Sequence, residues 1–251
     1  MKTVIIILVT MSMQNLGAEL PGCRTLLDSG DVSYAAYNNG IALDWYRRAY
    51  LKCPDSYEPL MKMTRAYIDV GQGAETAKPE SLFITGLRFA DTLRQRYPDS
   101  GQAYFLTSVA SGNLCLIRKG ARRIKLVRMV EHNAKKAIEL APDFAPAYVV
   151  LGIYYREVAI ANPILKMLAR LLLGGIPDGT LRESEQTLQK ALELSPNNIF
   201  ALLELSRTDM LMGKKNEAIE HLTRSLNSEP AWYQDIKLKR ECERLLQSLA
   251  P

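Results

Sequence analysis

Ala191-Leu192-Glu193-Leu194-Ser195-Pro196 closes an apolar-periodic run with a small or apolar helix end followed by proline, and four other stretches close alike. They are Ala49-Tyr50-Leu51-Lys52-Cys53-Pro54, Leu93-Arg94-Gln95-Arg96-Tyr97-Pro98, Ala137-Ile138-Glu139-Leu140-Ala141-Pro142 and Ser225-Leu226-Asn227-Ser228-Glu229-Pro230. The five prolines are 44, 44, 54 and 34 residues apart. A repeating unit of 34 residues, enlarged in three of the four intervals, accounts for all five ends. Proline suits such an end, because it cannot continue a helix and readily follows its cap.

A 34-residue period is that of the tetratricopeptide repeat, a pair of antiparallel helices. Ile199 to Pro230 shows it without enlargement. With Ile199 as position 1, Leu202 and Leu205 take positions 4 and 7, and small Ser206 takes position 8. Ala218, Leu222, Ser225 and Pro230 take positions 20, 24, 27 and 32, while Asp209 replaces the usual aromatic at position 11. Positions 8 and 20 need small side chains because the two helices cross closely there. After Pro142, Tyr148, Leu151, Gly152 and Tyr155 repeat the first-helix pattern, and Leu188 with Ala191 supply the second helix. Leu60, Met63, Thr64 and Tyr67 follow it after Pro54, and Tyr104, Thr107, Ser108 and Ser111 more weakly after Pro98. In the unit starting at Cys23, Ala42, Tyr46 and Ala49 fit a second helix, but Gly30 and Asn38-Asn39-Gly40 interrupt the first half. Ile236, Leu238, Leu245, Leu246 and Leu249 mark a terminal capping helix. The expected architecture is all-α: a solenoid of five helix pairs plus a C-terminal cap, one domain over 23–251, with insertions near 72–80, 112–122 and 160–180.

The 251 residues are 47% hydrophobic and 24% charged, as in ordinary globular proteins, which excludes a disordered chain or a multi-span membrane protein. A formal charge of +5 is too small to argue for nucleic acid alone. Met1-Lys2-Thr3, the apolar run Val4 to Met13 and the break at Gly17-Ala18 fit a secretory signal peptide cleaved after Ala18. Alternatively, Leu20-Pro21-Gly22-Cys23 reads as a lipobox, with residues 1–22 removed and Cys23 acylated; a buried first helix is the remaining reading. Both cleavage readings place the mature chain outside the cytosol, in a bacterial periplasm or anchored to an envelope membrane.

First-helix positions 2, 5, 9 and 12 of this repeat line the concave face. They set Arg65, Arg156 and Arg207 in an apolar groove with Phe105, Val149 and Ile153. Arginine beside apolar surface suits a carboxylate with an apolar body or an acidic peptide. The competing reading pairs these arginines with Glu58, Glu157 or Glu204 to hold helices together. Arg118, Lys119, Arg122, Arg123, Lys125 and Arg128 place six cations in eleven residues without an acid. Such a run fits anionic lipid heads or a plain solvated helix start; export argues against nucleic acid. The apolar insertion 162–180 could close over the groove, pack internally or contact another subunit. Cys23, Cys53, Cys115 and Cys242 form no CxxC, and His132 and His221 have no ligand spacing, so no metal or other cofactor is expected. No phosphate loop, nucleophile elbow or acid–base pair is present, so no catalytic residue is assigned.

Gly120 to Leu226 is more specific than a generic repeat. Ala137-Ile138-Glu139-Leu140-Ala141-Pro142 is followed by Leu151-Gly152-Ile153-Tyr154-Tyr155-Arg156-Glu157-Val158-Ala159, by the apolar Leu165 to Leu173, and by Gly174-Gly175-Ile176-Pro177 and Thr180. This order resembles the regulator of microtubule dynamics family and its bacterial exported relatives. The layout is also similar to the T-component lipoproteins of tripartite transporters, helical-repeat proteins with a ligand cleft. These resemblances imply a helical-repeat binding protein and supply no catalytic residue. Microtubule binding does not carry over to an exported chain. The expected function is a non-enzymatic exported scaffold whose groove takes a peptide, a partner protein or an apolar carboxylate. The alternatives are a ligand-binding transporter subunit and a membrane-surface adaptor acting through 118–128.

Overall fold

A computed structural model of the chain describes residues 22–73, 79–175, 178–231 and 233–249. The leader of either cleavage reading, 1–18 or 1–22, lies outside them except for Gly22. The described residues form twelve helices and no strand. The first helices of the five repeats are α1 (Cys23–Ala35), α3 (Tyr57–Gly73), α5 (Gly101–Ile117), α7 (Ala145–Ala159) and α10 (Ile199–Leu211). Their partners are α2 (Asn39–Lys52), α4 (Pro79–Arg96), α6 (Gly120–Leu140), α9 (Leu181–Leu194) and α11 (Lys215–Asn227). The insertion holds a short helix, α8 (Pro163–Leu173), and α12 (Tyr233–Leu249) caps the array.

The 34-residue register places the small residues where the helices cross. Position 8 is Gly30, Thr64, Ser108, Gly152 and Ser206, all buried. A Cβ on Gly152 would stand 2.6 Å from Leu188 Cγ, and one on Gly30 would stand 2.4 Å from Tyr46 Cε1. Gly30 therefore does not interrupt the first unit: it is the crossing residue of α1, and Tyr46 lies across it. Pro54, Pro98, Pro142 and Pro196 sit in the turns between pairs. Helix starts are fixed locally. Ser100 accepts from Ala103 N at 3.3 Å and Asn198 from Ala201 N at 2.9 Å. Thr180 and Glu183 form a reciprocal capping box before α9. Each pair leaves an apolar side that only the next pair covers, so the core runs as a chain of clusters along the array.

The enlarged intervals take two forms. Near 72–80 and 112–122 the extra residues lengthen the helices themselves: α3 and α4 have 17 and 18 residues, α5 and α6 have 17 and 21, against 13 each in α10 and α11. Near 160–180 they form α8, while α7 packs directly on α9 as an ordinary pair. Asp209, in place of an aromatic, is buried and pairs with His221 Nδ1 at 2.8 Å, which satisfies the carboxylate left inside.

Candidate functional site

The groove-facing arginines differ in their surroundings. Arg156 is 6% exposed, and its Nη1 lies 2.6 Å from Oε2 of Glu204, itself 2% exposed on α10. The same nitrogen donates to the Glu204 carbonyl at 3.1 Å, and Nη2 lies 3.2 Å from Glu157. Arg207 bridges Glu204 and Glu241 of α12. These two arginines thus share a buried carboxylate and tie the fourth repeat to the fifth and the fifth to the cap. A charge taken out of water needs such compensation, and removing one partner strands the other.

Arg65 is different. Its guanidinium lies 4.3 Å above the ring of Tyr34, its Nε is buried without a hydrogen-bond partner, and it forms no ion pair among the described residues. The acids beside it are already engaged. Asp31 accepts from Lys62 Nζ at 2.5 Å and from the Tyr46 hydroxyl at 2.8 Å. Asp69 accepts from the Tyr34 hydroxyl at 2.7 Å. Burial raises the Asp69 carboxyl above its ordinary pKa, against the lowering effects of that hydrogen bond and of Arg65.

Arg65 lines a cavity of about 320 Å³ with Asp31, Tyr34, Tyr37 and Asn39 from the first repeat and Ala231 and Gln234 from the approach to the cap. Tyr37 follows α1 in the left-handed region, φ 62°, with its N–H donating to Tyr34 O at 2.9 Å. Glycine usually fills that slot, and a side chain there costs roughly 1–2 kcal/mol. The strain places a second aromatic ring on the cavity wall.

Phe105 packs edge-on to Phe144 at 5.0 Å and remains half-buried. Val149 is buried between α7 and α9 and presents no open surface; Ile153 packs against the same cluster with part of its side chain exposed. The structure thus brings Arg156, Arg207, Val149 and Ile153 into the internal packing of the C-terminal half and leaves Arg65 at an open cavity. Asp31 and Tyr34 were missed by the sequence reading. Continuing the register back to Cys23 sets them at groove positions 9 and 12; the apparent break at Gly30 hid this.

In the basic run, Arg118 pairs with Glu80 at 2.6 Å and Arg128 Nε donates to the Gly175 carbonyl at 2.5 Å. Lys119, Arg122, Arg123 and Lys125 are exposed. Cys23 begins α1, fully buried, its thiol 3.8 Å from Ala49 O. Among the described residues no cluster of His, Cys, Asp and Glu could hold a metal ion.

Comparison with known proteins agrees with this fold. Bovine regulator of microtubule dynamics protein 1 (Bos taurus) is 24% identical over 196 residues, 77% of this chain and 62% of that protein. Regulator of microtubule dynamics protein 3 of Xenopus laevis is 27% identical over 143 residues, 57% of this chain and 31% of that protein. The chain therefore spans less than two thirds of the length of these relatives. Among solved structures, a thermophilic TPR protein of Thermus thermophilus superposes with a TM-score of 0.67 at 22% identity, covering 90% of this chain and 99% of that one. MamA of Desulfovibrio magneticus gives 0.52 at 15% identity, covering 89% and 98%. The sequence model of regulator of microtubule dynamics protein 1-3 matches residues 26–250, and the chain belongs to that family.

Proposed function

We propose that the chain is a non-catalytic binding scaffold, exported from the cytosol, that holds an acidic segment of a partner protein in the cavity around Arg65. The observation that carries this is the state of Arg65: a guanidinium on an aromatic ring, at an open cavity, with an unmet donor and with its neighbouring acids committed elsewhere. A carboxylate entering the cavity would meet the Arg65 guanidinium by charge, and Tyr34 and Tyr37 would contact the apolar part beside it. The ligand-binding transporter subunit is the second reading. It draws on the same cavity, whose size suits a small acid as well as a peptide end.

Export rests on the sequence of residues 1–18. The burial of Cys23 favours cleavage after Ala18 over acylation, because an acyl chain on that sulfur would have to leave the first repeat's core.

The test is crosslinking in the native host from a photoreactive residue at Gln234, on the cavity wall, and at Leu51, on the exposed face of α2. Crosslinks to one partner from position 234, lost when Arg65→Ala is added, are the expected result. Equal products from both positions, or products insensitive to Arg65→Ala, would refute the cavity reading.

A further inference from the structure

In a stack of antiparallel helix pairs, all turns within pairs lie along one edge. Here that edge carries the α5–α6 turn, the extended N-terminal half of α6, and α8 between α7 and α9. The 21-residue α6 is the longest helix, and its first half is the basic run. α8 packs on α6, with the Gly175 carbonyl just beyond α8 receiving Arg128 Nε. The two features read apart in the sequence, a cation run and an apolar insertion, are neighbours in the fold.

Their surfaces are unusual in the same way. Lys119, Arg122, Arg123 and Lys125 are exposed and form no ion pair among the described residues; Arg170 of α8 is exposed too but pairs with Asp178 at 3.4 Å. The first turn of α6 has no acid, so its cations oppose the helix dipole, and folding gains nothing from placing them there. Large apolar side chains stand in solvent along the same edge: Leu116 is 83% exposed, Leu171 73% and Met167 56%. Met167 and Leu171 are one turn apart and share a face of α8, while Ala169 is buried.

We propose that this edge is a docking surface for an anionic lipid bilayer, with the α6 cations on headgroup phosphates and Leu116, Met167 and Leu171 entering the acyl boundary. Charge complementarity requires an anionic partner, and the exposed leucines select among anions. A bilayer accepts cations and aliphatic side chains at one interface. A nucleic acid would favour aromatic rings among the cations, and the run 118–128 contains none. Among the described residues no helix is long and apolar enough to cross a membrane.

The test uses protein purified from its own host, so that its N-terminus is the natural one. It is sedimented with vesicles of phosphatidylcholine and with vesicles of phosphatidylcholine mixed with phosphatidylglycerol. Comparing the two isolates the charge effect from any acyl chain, which would enter both. Stronger binding to the anionic vesicles, weakened by salt, is expected. Arg122→Gln with Arg123→Gln and Lys125→Gln should weaken it about a hundredfold, at about fivefold per charge. Met167→Ser with Leu171→Ser should also weaken it, by about tenfold or more, in a protein of unchanged circular dichroism. Equal binding to both vesicles, indifference to the triple substitution, or tighter binding of single-stranded RNA than of anionic vesicles at the same salt would each overturn the proposal.

Discussion

Gly152 and Gly213 are both glycines, but the fold uses them for opposite reasons. At Gly152 a side chain meets Leu188 at 2.6 Å, so Gly152→Leu overpacks the crossing at a cost of roughly 1–3 kcal/mol or more. At Gly213 nothing lies within 4 Å, but φ is +75°, so Gly213→Ala costs about 1 kcal/mol of backbone strain. Thermal denaturation should order the three proteins wild type, Gly213→Ala, Gly152→Leu; equal melting for wild type and Gly152→Leu would show that the register is wrong. Asp69 carries a pH effect. Its carboxyl is raised in the fold, so the folded chain holds that proton more firmly than the unfolded one. Its contribution to stability therefore falls as pH rises above the unfolded value of 3.8. Asp69→Asn should flatten the pH dependence of the melting temperature in that range; an unchanged slope would mean that the carboxyl titrates normally. Thr64, Ser108, Gly152 and Ser206 were legible as crossing residues because packing at position 8 tolerates little else, whereas Gly30, the fifth, looked like a break in a weak unit. Tyr37 was not, because nothing in the spacing announces a tyrosine where a helix end prefers glycine.

The helix pairs followed from the sequence because each proline end and each small crossing residue is a local signal. What became of the surplus residues did not follow. A surplus of ten residues looks the same in the sequence whether it makes a loop or adds a turn to two helices, and Gly112, a natural breaker, lies inside α5. Only packing of the longer helices against each other decides the matter. For α8 the pairing of α7 with α9 gives a direct expectation. Replacing 162–178 by a turn like Met212-Gly213-Lys214 should leave a cooperatively folded array, with helicity lower by the length of α8. Loss of cooperative unfolding would mean that α8 belongs to the core. The contact between α7 and α10 is more demanding. Arg156→Ala leaves Glu204 buried with one partner fewer, a loss of about 3–5 kcal/mol, whereas Arg156→Met with Glu204→Leu should recover most of it. Urea denaturation of the single and double variants measures the difference, and equal losses in both would argue against a buried pair.

At the scale of the whole molecule, the arginines at groove positions divide between internal ion pairs and the proposed binding cavity. The C-terminal half spends its arginines on Glu204 and Glu241, and the N-terminal half leaves Arg65 at a cavity that residues before and within the cap help to line. The register set all three arginines at groove positions but could not tell them apart, because Glu204, which pairs with Arg156 from α10, lies 48 residues away. Export predicts that intact-mass analysis of protein from its own host finds residues 1–18 absent; a chain beginning at Met1 would remove the exported scaffold from consideration. The most direct test of the central claim compares Arg65→Ala with Arg156→Ala, reading melting temperature and crosslinking to the partner from position 234 in each. Arg65→Ala should melt within about 2 °C of wild type and lose the crosslink. Arg156→Ala should melt at least about 6 °C lower and keep the crosslink per folded molecule. The reverse pattern, a stable Arg156→Ala that cannot bind and an Arg65→Ala that binds normally, would contradict the claim.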